Sequence, residues 1–191
     1  YNAIPFESFK VINTDNDTAG ITVNPVAGLL TTEAGGSATF NVRLNSQPSA
    51  NVIFPSISSP DTTEGTVSPS SLTFTPLNWN TPQTVTVTGV NDAVADGNIA
   101  YTINLAAVTS VDAVYNGMNP GNVSVTNNDN DSVNIKVTYS TTCGIITNEY
   151  GKTGSFTVVL NSQPTANVTV PISSNNISEG TVSDSSLLFT T

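Results

Sequence analysis

Apolar and polar residues alternate with a period of two along most of this chain. "ATFNVRL" places Phe40, Val42 and Leu44 on one face and Thr39, Asn41 and Arg43 on the other. "GITVNPV" does the same with Ile21 and Val23, and "NVIFPSI", "SLTFT", "QTVTVTGV", "AYTINLA" and "NVSVTN" complete seven predicted strands. Between them lie turn-forming stretches such as "AGG", "SQPSA", "SSPDTTEG", "VNDAVADGN" and "YNGMNPG". No segment carries apolar residues at helical spacing over three turns. Seven short strands in about 114 residues, joined by Gly, Pro and Asn turns, predict an all-β, immunoglobulin-like antiparallel β-sandwich.

The pattern repeats. "LNSQPSANV" at Leu44 returns as "LNSQPTANV" at Leu160, a shift of 116 residues, and "EGTVSPSSLTFT" at Glu64 returns as "EGTVSDSSLLFT" at Glu179, a shift of 115. "NTDNDTAGITV" at Asn13 returns as "NNDNDSVNIKV" at Asn127, and Tyr1-Asn2 matches Tyr115-Asn116, both shifted by 114. Three separated blocks whose shifts agree to within two residues predict tandem sandwiches. Residues 1–17 are expected to be the last strand of a preceding repeat, 18–131 a complete sandwich, and 132–191 the first half of the next. Neighbouring repeats of the same chain are then the first expected partners.

Composition narrows the function. The net charge is −10, with four Lys and Arg in total and no histidine. Lys10, Arg43, Lys136 and Lys152 are scattered, so no basic patch awaits nucleic acid. No apolar run is long enough for a transmembrane helix. Cys143 is the single cysteine and has no histidine to activate it, so a structural residue is expected rather than a nucleophile. Asp92 and Asp96 are the one pair of carboxylates an enzyme could use, and no enzyme is expected. Trp79, in "LNWNTP", reads as a lid over the sandwich end or a surface aromatic, with a weak alternative as a sugar-stacking platform. Asp61, Glu64 and Asp112 read as solvated loop charges, and the return of Glu64 as Glu179 reads as turn chemistry.

"TTEAGGSATFNVRL", "SLTFTPLNWNTPQTVTVTGVNDAVADGNIAYTI" and "VSVTNNDND" together resemble the Calx-β family, in particular the tandem repeats of large bacterial cell-surface proteins. The resemblance spans essentially the whole chain and implies a sandwich whose acidic elements meet at one end, where calcium-binding members hold the ion. By position it implies Glu33, Asp92, Asp96, Asp129 and Asp131 as ligands of the complete repeat. Asp15 and Asp17 hold the corresponding places for the preceding repeat, and Glu149 for the following one. The closing triplet here is Asp-Asn-Asp, and "DTTEGTVSPSSLTF" replaces the family's "DGTA…DY" segment.

The chemistry agrees with a hard cation. Calcium takes six to eight oxygens from carboxylates, amides and carbonyls. Asp129 and Asp131, two apart in an extended segment, can aim at one point while Asn130 faces away or toward a neighbouring domain. Two like charges held close need a cation or donors. An EF-hand is excluded, because Ala19 and Val26 fill the fifth and twelfth positions after Asp15. The bland alternative is an acidic turn capped by Asx hydrogen bonds. The expected function is an extracellular structural or adhesive repeat on a bacterial cell surface, a stalk or fibre with calcium-stiffened ends. The alternatives are a filament subunit in which copies of the chain exchange strands, with "ESFKVIN" as donor, and a module that binds host or surface glycans.

Overall fold

The computed structural model describes residues 8–140 and 144–191; Tyr1, Asn2 and Cys143 lie outside them. The fold is all-β, and among the described residues there is no helix. Eleven strands fall between residues 21 and 128: β1 (Ile21–Asn24), β2 (Leu29–Thr32), β3 (Ser37–Leu44), β4 (Val52–Phe54), β5 (Ile57–Ser58), β6 (Gly65–Ser68), β7 (Leu72–Phe74), β8 (Gln83–Gly89), β9 (Ile99–Leu105), β10 (Thr109–Ser110) and β11 (Val123–Asn128). Four more follow: β12 (Ile135–Tyr139), β13 (Phe156–Leu160), β14 (Val168–Pro171) and β15 (Ser186–Phe189).

The first eleven form a four-stranded sheet in the order β1-β3-β8-β6, a second in the order β2-β11-β9-β5, and a small sheet β10-β4-β7. The alternation does what it predicts. In β3, Phe40, Val42 and Leu44 are fully buried while Asn41 and Arg43 are exposed. They meet Val85 and Val87 of β8, Ile103 of β9 and Val123 of β11 in one core. Each such side chain contributes roughly 1.5–3 kcal/mol by leaving water. Phe54 and Phe74 pack edge to face, with centroids 5.9 Å apart. Trp79 is partly buried against the same core, and its carbonyl accepts the Leu44 N–H at 3.0 Å.

Four details depart from the expected strands. "GITVNPV" is not one strand: β1 stops before Pro25, which has no N–H for the ladder, and the chain crosses to the other sheet as β2. Pro55 divides "NVIFPSI" between two sheets in the same way. The sandwich is also not purely antiparallel, since β2 runs parallel to β11, with Val125 opposite Leu29 and Asn128 opposite Thr32. "GTVS", outside the seven predicted strands, is strand β6.

Asp112 is not a solvated charge. It is 8% exposed, and its carboxylate accepts the N–H of Ser49 at 2.7 Å and of Val114 at 2.9 Å. These donors hold its pKa below the ordinary aspartate value. They fix the turn before Tyr115, which is buried and whose hydroxyl donates to the Ser46 carbonyl at 2.7 Å and accepts the Ser46 N–H at 3.1 Å.

Beyond residue 131 two ladders recur in the same register. Ile135 pairs with Leu160 as Ile21 pairs with Leu44, and Val168 pairs with Phe189 as Val52 pairs with Phe74. The inward faces of β13, β14 and β15 are only half-buried, and β12 is exposed throughout. Residues 8–20 form no strand, so among the described residues "ESFKVIN" pairs with no strand.

Candidate metal centre

The parallel pairing of β2 and β11 builds the site. Thr32 and Asn128 are the last partners of that ladder, so the next residues, Glu33 and Asp129, leave the sheet side by side. Glu33 N–H donates to the Asn128 carbonyl at 3.1 Å, and Glu33 Oε2 accepts the Asn130 N–H at 3.0 Å. Asp129 then closes a turn, its Oδ1 accepting the Asp131 N–H at 2.6 Å, while its Oδ2 accepts the Gly97 N–H at 2.7 Å. Carboxylate oxygens of Glu33, Asp129 and Asp131 all lie within 4.8 Å of one another. Two oxygens on one calcium stand at most about 5 Å apart, given bonds of roughly 2.3–2.6 Å, so one ion can span the trio.

A second trio joins Glu64, Asp92 and Asp96, again within 4.8 Å. Glu64 immediately precedes β6, and its carbonyl accepts the N–H of Val90, the residue after β8. The loop from Val90 to Asn98 supplies Asp92 and Asp96 to this trio, and the Gly97 N–H and Asn98 side chain to Asp129. Gly89 sits where the two sheets approach closely: a Cβ there would strike the Thr32 carbonyl and the Asn127 side chain.

The sequence-predicted ligands therefore divide. Glu33, Asp129 and Asp131 come together, whereas Asp92 and Asp96 gather around a residue read as a solvated charge. Glu64 is only 6% exposed. Its Oε2 accepts from Asn127 Nδ2 at 3.3 Å, and Asn127 Oδ1 accepts from the Thr31 hydroxyl at 2.9 Å. The Thr31 hydroxyl in turn lies 3.2 Å from the Tyr101 hydroxyl. This buried polar line runs from the core to the acidic end, and the recurrence of "EGTV" was its one signal in the sequence. Asn130 does not face away: its side chain donates to Asn91 Oδ1 at 2.8 Å, within the same sandwich.

Charge is concentrated here. Burial pushes the Glu33 carboxyl above its ordinary value; the Asn130 N–H opposes this, and Asp129, Asp92 and Asp131 add to it. Burial also raises Glu64, Asn127 opposes it, and Asp61, Asp96 and Asp92 add to it. Asp129 is instead lowered by the N–H groups of Asp131 and Gly97. No lysine or arginine is among these causes. Asp131 Oδ2 is buried with no hydrogen-bond partner, a costly state for a carboxylate oxygen that a cation would relieve. All donors are oxygens, which fits a hard cation and not a soft one.

The other candidates stay apart. Asp15 and Asp17 are exposed, although the Asp17 N–H donates to Asp15 Oδ1 at 3.0 Å, repeating the Asp129–Asp131 turn. Glu149 is exposed in the turn that carries Asn148 and Gly151, and among the described residues none of these three joins an acidic group.

No family profile and no curated protein matches this chain. Among solved structures, it is similar to the calcium binding domain CBD12 of CALX1.1, with 13% identity, a TM-score of 0.45, and coverage of 75% of this chain and 70% of that one.

Proposed function

We propose that the chain is part of an extracellular structural array of Calx-β-like sandwiches that holds calcium at the acidic end of each complete repeat. Residues 132–191 are then the opening half of a second sandwich, and residues 1–17 the close of a preceding one. The supporting observation is the pair of carboxylate trios, one with a buried carboxylate oxygen that has no partner. Glu33, Asp129 and Asp131 would hold one ion, and Glu64, Asp92 and Asp96 a second. The ion supplies the positive charge that neither trio finds among the described residues.

The loop from Val90 to Asn98 links this chemistry to mechanics. It supplies Asp92 and Asp96 to one trio and hydrogen bonds to Asp129 of the other, and its Ala93 carbonyl accepts the Gln163 N–H at 2.6 Å. Val94 and Ala95 line a cleft of about 350 Å³ together with Val133, Ile135 and Leu160. A cation that fixes the loop would also fix the surface on which residues 132–191 rest. A joint set in this way suits a load-bearing stalk on a cell surface.

Isothermal calorimetry and thermal melting, with calcium or excess chelator, test the proposal. Calcium is expected to bind and to raise Tm, and Asp131→Asn is expected to weaken binding. No heat of binding and an unchanged Tm would remove the metal from the mechanism.

A further inference from the structure

Asn127 belongs to neither trio, yet its side chain reaches the supports of both. It lies near the end of β11 and is 1% exposed, so its amide must find partners inside the protein. It finds three. Asn127 Nδ2 donates to the Val90 carbonyl at 3.0 Å and to Glu64 Oε2 at 3.3 Å, and Oδ1 accepts the Thr31 hydroxyl at 2.9 Å. A backbone carbonyl can only accept, which fixes the nitrogen on the side of Val90 and Glu64 and uses both of its hydrogens. The oxygen is turned to Thr31. An amide held in this way acts on an ion only through the carboxylates around it.

Each of these contacts leads to a ligand. Glu64 is itself a member of the second trio. Val90 opens the loop that carries Asp92 and Asp96, and its N–H returns to the Glu64 carbonyl at 3.0 Å, so one amide ties together both segments that build this trio. Thr31 lies directly opposite Asn127 in the parallel ladder, and two residues further along the same strands the chain delivers Glu33 and Asp129 to the first trio. Two glycines leave room for this arrangement. A Cβ on Gly89 would strike Asn127 Oδ1, and one on Gly65 would strike the Tyr101 hydroxyl, which lies 3.2 Å from that of Thr31. The three polar members also recur unchanged in the sequence: Thr31 as Thr147, Glu64 as Glu179 and Asn127 as Asn13. Their neighbours Thr32 and Asn128 do not, and return as Asn148 and Thr14.

We propose that Asn127 is a positioning residue shared by the two trios, an inference that rests on the calcium reading above. Its nitrogen sets Glu64 and the start of the 90–98 loop for one ion. Its oxygen, through Thr31, locks the ends of β2 and β11 from which Glu33 and Asp129 leave for the other. The motif is therefore longer than Asp-Asn-Asp: the buried asparagine two residues before the first aspartate is part of it.

Calorimetric titration with calcium and hydrogen exchange in excess chelator test the proposal. Asn127→Ala is expected to weaken binding at the trio of Glu64, Asp92 and Asp96 at least about tenfold, the loss typical of groups that orient metal ligands, and to weaken the other trio less. Measuring it also in an Asp131→Asn background isolates the second trio. Without metal, the same variant is expected to speed exchange of the Val90 and Gly97 amides, which bond to Glu64 and Asp129. Thr31→Val keeps the shape of the side chain and removes its hydroxyl, so a smaller loss in the same direction is expected even if Asn127→Ala folds poorly. Val125→Ala, in the core on the same strand, is expected to lower Tm and leave calcium affinity unchanged. Parent-like affinity in both Asn127→Ala and Thr31→Val, or an equal loss in Val125→Ala, would overturn this inference alone. A parent chain that binds no calcium would overturn it together with the reading on which it rests.

Discussion

"LNSQPSANV" and "LNSQPTANV" differ at one residue and meet different fates. Around the first copy, Leu44 and Val52 are fully buried; around the second, Leu160 and Val168 are only half-covered. The ladders are nevertheless the same, Ile21 on Leu44 and Ile135 on Leu160. Strand pairing is thus specified close to home, by alternation and by turns. Burial is specified far away, because β8, β9 and β11 cover the first copy and have no counterpart up to residue 191. The acidic residues divide in the same way. Glu64 is buried beneath Asn127, whereas its repeat, Glu179, is exposed.

The largest expected effect compares the two phenylalanines that begin this alternation. Phe40→Ala should destabilise the first sandwich by about 3–5 kcal/mol, because the side chain is wholly buried and the cavity cannot close. Phe156→Ala, in β13, should cost less than half of that. Urea denaturation with hydrogen exchange resolved by strand measures both. Equal losses would mean that residues 132–191 possess a core of their own, and the contrast would collapse.

Such contrasts explain which features are legible in the sequence. Alternation exposes the strands, and repetition exposes the shared register, because both are local or self-referring. Glu33, Asp129 and Asp131 are readable through a resemblance whose motifs survive here. Glu64 is not, because its partner in the buried polar line, Asn127, lies 63 residues away. Asp112 is misread for a similar reason: its strongest donor is the backbone of Ser49, also 63 residues distant. The sheet change at Pro25 is partly legible, since proline ends a ladder, but the parallel partner that β2 then finds depends on the whole topology.

A smaller effect separates the two glutamates. Glu64→Gln keeps the shape and removes one charge from the second trio, so calcium affinity there should fall by at least about tenfold, a loss seen even for groups behind the metal ligands. Glu179→Gln should leave calorimetric titration unchanged. If both variants titrate like the parent, the second trio holds no ion, while the trio of Glu33, Asp129 and Asp131 is untouched by that result.

The smallest effect is a pH dependence confined to the first sandwich. Burial raises Glu33 and Glu64 above the ordinary glutamate value of 4.5, so the folded state takes up protons at a pH where the unfolded chain still releases them. Stability from this source is fully present below 4.5 and is lost as pH rises through the folded values. Asp112 and Asp129, lowered by backbone N–H donors, act in the opposite sense: their contribution is present above 3.8 and is lost as pH falls through their folded values. Mild acidification from neutrality should therefore raise the Tm of the calcium-free protein, and stronger acid should reverse the gain. Calcium should abolish the rise, because a bound cation favours the charged carboxylates and removes the advantage of protonating them. Glu33→Gln and Glu64→Gln should each flatten it without metal. Hydrogen exchange should place the gain in β2, β6 and β11, next to the two glutamates, and leave β12 to β15 unchanged. A gain spread evenly over both regions would instead point to general relief of the net charge of −10.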